Sequence, residues 1–177
     1  MILYVIRHGQ TNVNLKERIN ARNIIGLNKT GKEEARKASE LIKNIDIDLI
    51  YCSPLRRTKQ TCKLVNANNV SVVYDKSLLE RDSKGKQFER VEKIDFDLWY
   101  DITKDTIYKD SEGFKSVYER VVLFLEKIKE KHVNETILLV THGDVCKAIN
   151  AYVNKLTDAK EIRALEQRNC EIRKYEI

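Results

Sequence analysis

Two of the three histidines stand in matching places: His8 in Arg7-His8-Gly9 and His142 in Thr141-His142-Gly143, each closing a short apolar run. An imidazole that stays neutral can act as a nucleophile, and the guanidinium of Arg7 offers a fixed fork of donors suited to phosphate oxygens. A second arginine pair, Arg56-Arg57, follows Ser53-Pro54 at what reads as a helix start, where the backbone field favours an anion. Either arginine site alone reads as solvated surface. With two strand-end histidines, they describe a phosphate cradle and one active site drawn from distant parts of the chain.

A sheet must bring these parts together. Ile2 to Ile6 and Ile137 to Val140 are continuous apolar runs rich in β-branched residues, the pattern of strands buried on both faces of a parallel sheet. Both histidines then fall at the carboxyl edge of the sheet, where open α/β folds bind ligands, and the glycine after each lets the backbone turn or approach a ligand. Between the two runs, Thr30-Gly31-Lys32-Glu33 has the form of a capping box. It predicts a helix with Ala35, Ala38, Leu41 and Ile42 at helical spacing that ends near Asn44. A strand is expected at about Asp48 to Cys52, then a helix with Ser53 as N-cap, Pro54 in its first position and Leu55, Cys62 and Val65 inward. Val70 to Tyr74 reads as a strand, Phe114 to Ile128 as a long amphipathic helix, Val145 to Tyr152 as another helix and Glu171 to Ile177 as a last strand. The alternation predicts an α/β three-layer sandwich: a mostly parallel central sheet with helices on both faces.

Arg81 to Gly113 keeps neither period while carrying Phe88, Phe96, Trp99, Tyr100 and Tyr108. It reads as a substrate lid or as a small helical subdomain with its aromatics turned inward, and the two are compatible.

Composition narrows the function. The chain has 177 residues, the size of one domain, with 42% hydrophobic and 34% charged residues and a mean hydropathy of −0.50. Its longest apolar runs are about five residues against the ~20 of a membrane helix, so neither a membrane span nor a signal peptide is expected and the location implied is cytoplasmic. A net charge of +6 is compatible with nucleic acid, but the positive residues are scattered among many acids, which favours a small anionic partner and no nucleic acid. Cys52, Cys62, Cys146 and Cys170 show no metal-ligand spacing and read as buried, reduced thiols.

The sequence resembles the histidine phosphatase superfamily, the phosphoglycerate mutase-like proteins. The resemblance rests on Arg7-His8-Gly9-Gln10-Thr11 with Asn14 and Arg18, on Leu27 to Gly31 with Ala35, and on Ser53-Pro54-Leu55-Arg56-Arg57-Thr58-Lys59-Gln60-Thr61. It continues through Leu78-Leu79-Glu80-Arg81-Asp82, Thr141-His142-Gly143 and Asn169. It implies a single domain over 1–177 with a phosphoglycerate mutase-like fold, in which 81–113 is a lid or substrate-selecting insertion. It also implies phosphoryl transfer through a phosphohistidine, without metal or other cofactor, on a small phosphorylated metabolite. His8 would be the nucleophile, with Arg7, Arg57 and His142 binding the phosphoryl oxygens. Glu80 would protonate the leaving oxygen and then activate water, although Asp82 or Glu89 could serve instead. Thr11 and Asn14 would touch phosphate or substrate, or else support the loop after the first strand. His132, in the charged run Lys129-Glu130-Lys131-His132, reads as surface.

The chain departs from the family pattern where substrates are shaped. Ser83 to Arg90 lengthens the loop after the acid and lacks its final glycine, and Asn20-Ala21 replaces a polar-Gly pair. Lys84, Lys86 and Arg90 could meet a second anionic group, with Phe88 and Trp99 over the organic part. The segment between Glu80 and His142 is short for a glycolytic mutase, so the reading is a phosphatase with water as acceptor. The alternatives are a mutase-type phosphotransferase and a non-catalytic phosphoester or phosphopeptide binder. The oligomeric state is not legible.

Overall fold

The structure, a computed structural model, describes residues 1–108 and 111–177; the side chain of Lys84, which the sequence offers for a second anion, lies outside the described residues. In chain order the elements are β1 (Ile2–Arg7), α1 (Asn12–Leu15), α2 (Lys29–Ile42), β2 (Leu49–Cys52), α3 (Arg56–Val65), β3 (Val72–Tyr74), α4 (Phe96–Trp99), β4 (Thr106–Ile107), β5 (Ser111–Glu112), α5 (Phe114–Lys131), β6 (Thr136–Thr141), α6 (Gly143–Asn154), α7 (Ala159–Ala164) and β7 (Ile172–Glu176). The central sheet has the order β3-β2-β6-β1-β7, parallel except for β7, which runs antiparallel to β1 at one edge. This is the expected α/β sandwich.

Alternation along the two central strands divides the core. Leu3, Val5, Ile137 and Leu139 pack with Val117, Val121, Phe124 and Leu125 of α5 and with Val145, Ala148 and Ile149 of α6. Ile6, Leu138 and Val140 point the other way, against Ala35, Ala38 and Ile42 of α2 and Cys62 and Val65 of α3. Both faces are therefore apolar, which explains why these strands read as unbroken hydrophobic runs. β1 and β6 pair in register, Arg7 opposite Thr141, so His8 and His142 leave the sheet side by side at its centre.

Two helix starts differ in detail from the sequence reading. The N-cap of α2 is Asn28, whose side chain accepts from Gly31 N, so the Thr30 capping box does not form and Thr30 lies inside the helix. α3 opens at Arg56 with Leu55 as an N-cap that makes no side-chain bond. Ser53 is not its cap because its hydroxyl is engaged with His142, and Pro54 sits in the turn before the helix. A capping box does occur at α1, where the Thr11 side chain accepts from Asn14 N and Asn14 Oδ1 accepts from Thr11 N. Gly9 is required by close approach, since a Cβ there would lie 2.4 Å from the carbonyl oxygen of Gly31, whereas Gly143 only opens α6.

The irregular stretch after Glu80 folds into short helical turns, α4 and the β4–β5 hairpin. Trp99 and Tyr100 are buried in the larger core with Ile94, Ile107 and Phe114. Its aromatics do turn inward, Phe88 excepted, which is 41% exposed. His132 is not on the surface: it is 4% exposed, with Nε2 2.9 Å from Tyr51 Oη and Nδ1 2.9 Å from Glu135. The charged run before it belongs to the outer face of α5, and the chain turns inward at the C-cap. No helix among the described residues is long and apolar enough to cross a membrane.

Candidate active site

His8 follows β1 and is 1% exposed, with its backbone N–H held by Thr141 O. Its Nδ1 lies 2.8 Å from the Gly9 carbonyl, an acceptor only, so Nδ1 carries the proton and Nε2 the lone pair. Burial, then the charges of Arg57 and Arg7, hold this imidazole well below the ordinary histidine range. His142 is fully buried, its ring centroid 5.2 Å from that of His8 and edge-on to it. Its Nε2 is 2.7 Å from Ser53 Oγ, and burial with Arg57 and His8 nearby likewise lowers its pKa.

Arg7 and Arg57 come from the end of β1 and the first turn of α3. Arg7 Nη1 donates to Gln167 O at 2.9 Å. Arg57, fully buried, donates through Nη2 to Ala21 O at 2.7 Å and through Nη1 to Asn23 O at 3.2 Å. Its pKa is brought down to about 10 by burial. Ala21 holds φ at +48°, a left-handed conformation that favours glycine. Three nitrogens around His8 are buried with no hydrogen-bond partner: Arg7 Nε, Arg57 Nε and His142 Nδ1. Buried polar atoms are nearly always paired, so three orphans in one place mark where a ligand supplies the acceptors.

The sequence block around α3 also supports the site indirectly. Thr61 Oγ1 accepts from Gly9 N at 3.1 Å and Gln60 Oε1 from Leu27 N at 2.7 Å, tying the loops after β1 to the helix. Asn169 donates to His8 O at 2.7 Å.

Glu80 lies across the same cavity. Burial first and then the charge of Asp144 push its carboxyl up to about 6, against the opposing pull of Arg57 and Arg7. Its Oε1 accepts from Arg81 N at 3.0 Å, and its carbonyl accepts from Arg22 Nε at 2.7 Å. Arg22 pairs in turn with Glu112 and Asp82. Arg81, 1% exposed, donates through Nη1 to Trp99 O at 2.6 Å, and its Nε lies 2.9 Å from Asp144 Oδ2. Its guanidinium sits 4.4 Å from the Trp99 ring centroid. Tyr100 Oη completes the group at 3.1 Å from Asp144 Oδ1.

These residues wall a cavity of about 650 Å³ lined by Arg7, His8, Asn14, Glu80, Trp99 and Lys147 among others. Thr11 does not line it. Thr11 is buried and its hydroxyl is engaged with Asn14 and Asn20, so it holds the loop that presents Asn14. Of the residues read as substrate contacts in the insertion, Trp99 lines the cavity, but Phe88, Lys86 and Arg90 do not. Lys86 lies over Tyr108 and Arg90 pairs with Glu92. Asp144, Lys147 and Arg22 carried no signal in the sequence, because their place depends on how α6 and the loops meet. Among the described residues no group of three or more His, Cys, Asp or Glu side chains is arranged to hold a metal ion. All four cysteines are buried and free.

Comparison with known proteins gives the family and the fold. The sequence profile described as histidine phosphatase superfamily (branch 1) matches residues 3–177. The chain is 30% identical over 149 residues to the uncharacterized phosphatase PhoE of Bacillus subtilis (strain 168), covering 82% of this chain and 73% of that protein. It is 31% identical over 147 residues to phosphoserine phosphatase 1 of Hydrogenobacter thermophilus, covering 79% and 70%. Among solved structures, Bacillus stearothermophilus YhfR superposes with a TM-score of 0.87 over 99% of this chain and 91% of that one, at 22% identity, a likeness of fold.

Proposed function

The chain belongs to the histidine phosphatase superfamily, and we propose that it hydrolyses a small phosphomonoester through a phosphohistidine at His8, with no metal. The observation that carries this reading is the set of unpartnered buried nitrogens, Arg7 Nε, Arg57 Nε and His142 Nδ1, around an imidazole whose Nε2 holds its lone pair. Their donors match the equatorial oxygens of a transferring phosphoryl group, where charge must be met by fixed partners.

In the first step His8 Nε2 attacks phosphorus; the ester P–O bond breaks and the departing oxygen takes the proton of the Glu80 carboxyl. In the second step Glu80, now a carboxylate, takes a proton from water as the oxygen attacks phosphorus. The P–N bond breaks, its electron pair returns to Nε2, and inorganic phosphate leaves with Glu80 protonated again. Arg7 and Arg57 supply the positive charge that a metal would otherwise bring.

A rapid quench with a labelled phosphomonoester is expected to leave an acid-labile, alkali-stable phosphoryl group on the protein. His8→Ala is expected to abolish both label and turnover, and EDTA to leave turnover unchanged. Near-normal turnover in His8→Ala would refute the covalent route.

A further inference from the structure

We propose that Arg22, backed by Glu112, is a positioning residue for the general acid: it ties the backbone that carries Glu80 to the loop that the phosphate cradle holds. This role rests on the reading of Glu80 as the proton donor.

Glu80 needs support from outside its own segment. Residues 79–82 belong to no helix or strand, so their peptide groups take partners elsewhere. Two of those partners form one ion pair. Arg22 Nε donates to Glu80 O at 2.7 Å, Asp82 N donates to Glu112 Oε2 at 2.9 Å, and Arg22 Nη2 donates to the same Oε2 at 3.0 Å. The planar fork of one guanidinium thus spans the carbonyl of the acid and the carboxylate that holds the peptide two residues on. From α5, Arg120 grips Glu112 through Nε at 2.8 Å and Nη2 at 3.3 Å, and its Nη1 donates to Ser77 O at 2.6 Å. The chain is therefore held before, at and after the acid. Burial pushes the Glu112 carboxyl up, but the bonds from Arg120 and Asp82 N and the charge of Arg22 together hold it below its usual range, so this anchor stays charged.

The other end of the tether is the cradle. Arg22 stands between Ala21 and Asn23, whose carbonyls both accept from Arg57. One residue therefore links the guanidinium assigned to the phosphoryl oxygens with the acid assigned to the leaving oxygen. Arg22 does not line the cavity, so its effect passes through Glu80. The Glu80 carboxyl in turn follows its backbone, because Oε1 accepts from Arg81 N at 3.0 Å. Proton transfer needs a separation of about 2.6–3.2 Å, and a displacement of about 1 Å can cost on the order of a hundredfold.

The test measures kcat/KM on the full chain for benzyl phosphate, an alkyl ester that needs the proton, and p-nitrophenyl phosphate, an activated ester of similar size that needs it little. Arg22→Met is expected to lower the benzyl-to-nitrophenyl ratio about tenfold. In a Glu80→Gln background it should lower that ratio by less than about twofold more, since no proton remains to be placed. Arg22→Lys keeps the charge without the fork and should lower the ratio about threefold; it decides the matter if Arg22→Met does not fold. A tie that is only structural would cost both esters alike and add to the effect of Glu80→Gln. That result, or an unmoved ratio, overturns the clamp while Glu80→Gln still discriminates between the esters. Equal losses on both esters in Glu80→Gln itself overturn the acid reading and the clamp with it, which sets the two failures apart.

Discussion

Glu80 and His8 divide the proton work by having their affinities moved in opposite directions. The imidazole is kept neutral by burial and two arginines, while burial and Asp144 keep the carboxyl protonated up to about pH 6. Attack needs the neutral ring and departure needs the proton, so kcat/KM for an alkyl phosphate is expected to fall above about pH 6. The limb in kcat should lie higher, since bound phosphate repels a carboxylate. Glu80→Gln should cost alkyl phosphates about a hundredfold or more and an activated aryl phosphate much less, and should erase the alkaline limb. Equal losses on both substrates would remove Glu80 from the role. Arg7, His8, Arg57 and His142 were legible as a set because their motifs combine short spacing with strand and helix ends. Asp144, Lys147 and Arg22 were not, since a lone charge in sequence reads as solvent-facing until the fold shows what covers it. His132 misled for the same reason, its charged neighbours facing out while the ring turned in beneath Tyr51.

Element positions followed from periodicity wherever both faces or one stripe are buried. They slipped where a local polar group had a stronger distant partner: Ser53 has the form of a cap but bonds His142, and Asn28 displaces the Thr30 box. The insertion resisted reading because its order comes from tertiary contacts. Residues 88–91 are laced to 17–19 by Phe88 N to Ile19 O, Ile19 N to Glu89 O and Val91 N to Glu17 O, all at 2.9 Å, while Trp99 is held under Arg81 in the core. The two aromatics expected to cover substrate therefore part company. Phe88→Ala should change stability by no more than about 0.5 kcal/mol and leave substrate ranking as it was, since the ring is exposed and off the cavity wall. Trp99→Ala, at 2% exposure, should cost about 3–5 kcal/mol. Urea melts with kcat/KM on two substrates check both; a Phe88→Ala protein with reordered substrate preference would restore the lid.

At the scale of the whole molecule, the sheet order sets β1 beside β6 at the centre, so two neutral imidazoles are buried next to two arginines in the middle of the protein. That arrangement has a thermodynamic signature. Both histidines have folded pKa values below the ordinary 6.5, so between those values and pH 6.5 the unfolded chain binds two protons that the folded one refuses. Stability must then fall as pH drops through 6.5, by up to about 2.7 kcal/mol per pH unit for two groups. Glu80 acts in the opposite sense: its folded pKa of about 6 lies above the ordinary 4.5, so between those values the folded state holds an extra proton. It offsets about 1.4 kcal/mol per unit of the histidine slope there. Replacing His142 with Gln removes one of the refusing groups. The stability gap between wild type and His142→Gln, read from urea midpoints at pH 7, 6 and 5, should therefore move by about 1 kcal/mol or more in favour of the variant as pH falls. Parallel curves would mean that His142 accepts a proton in the folded protein, and that the cationic pocket around His8 does not exert the field assigned to it.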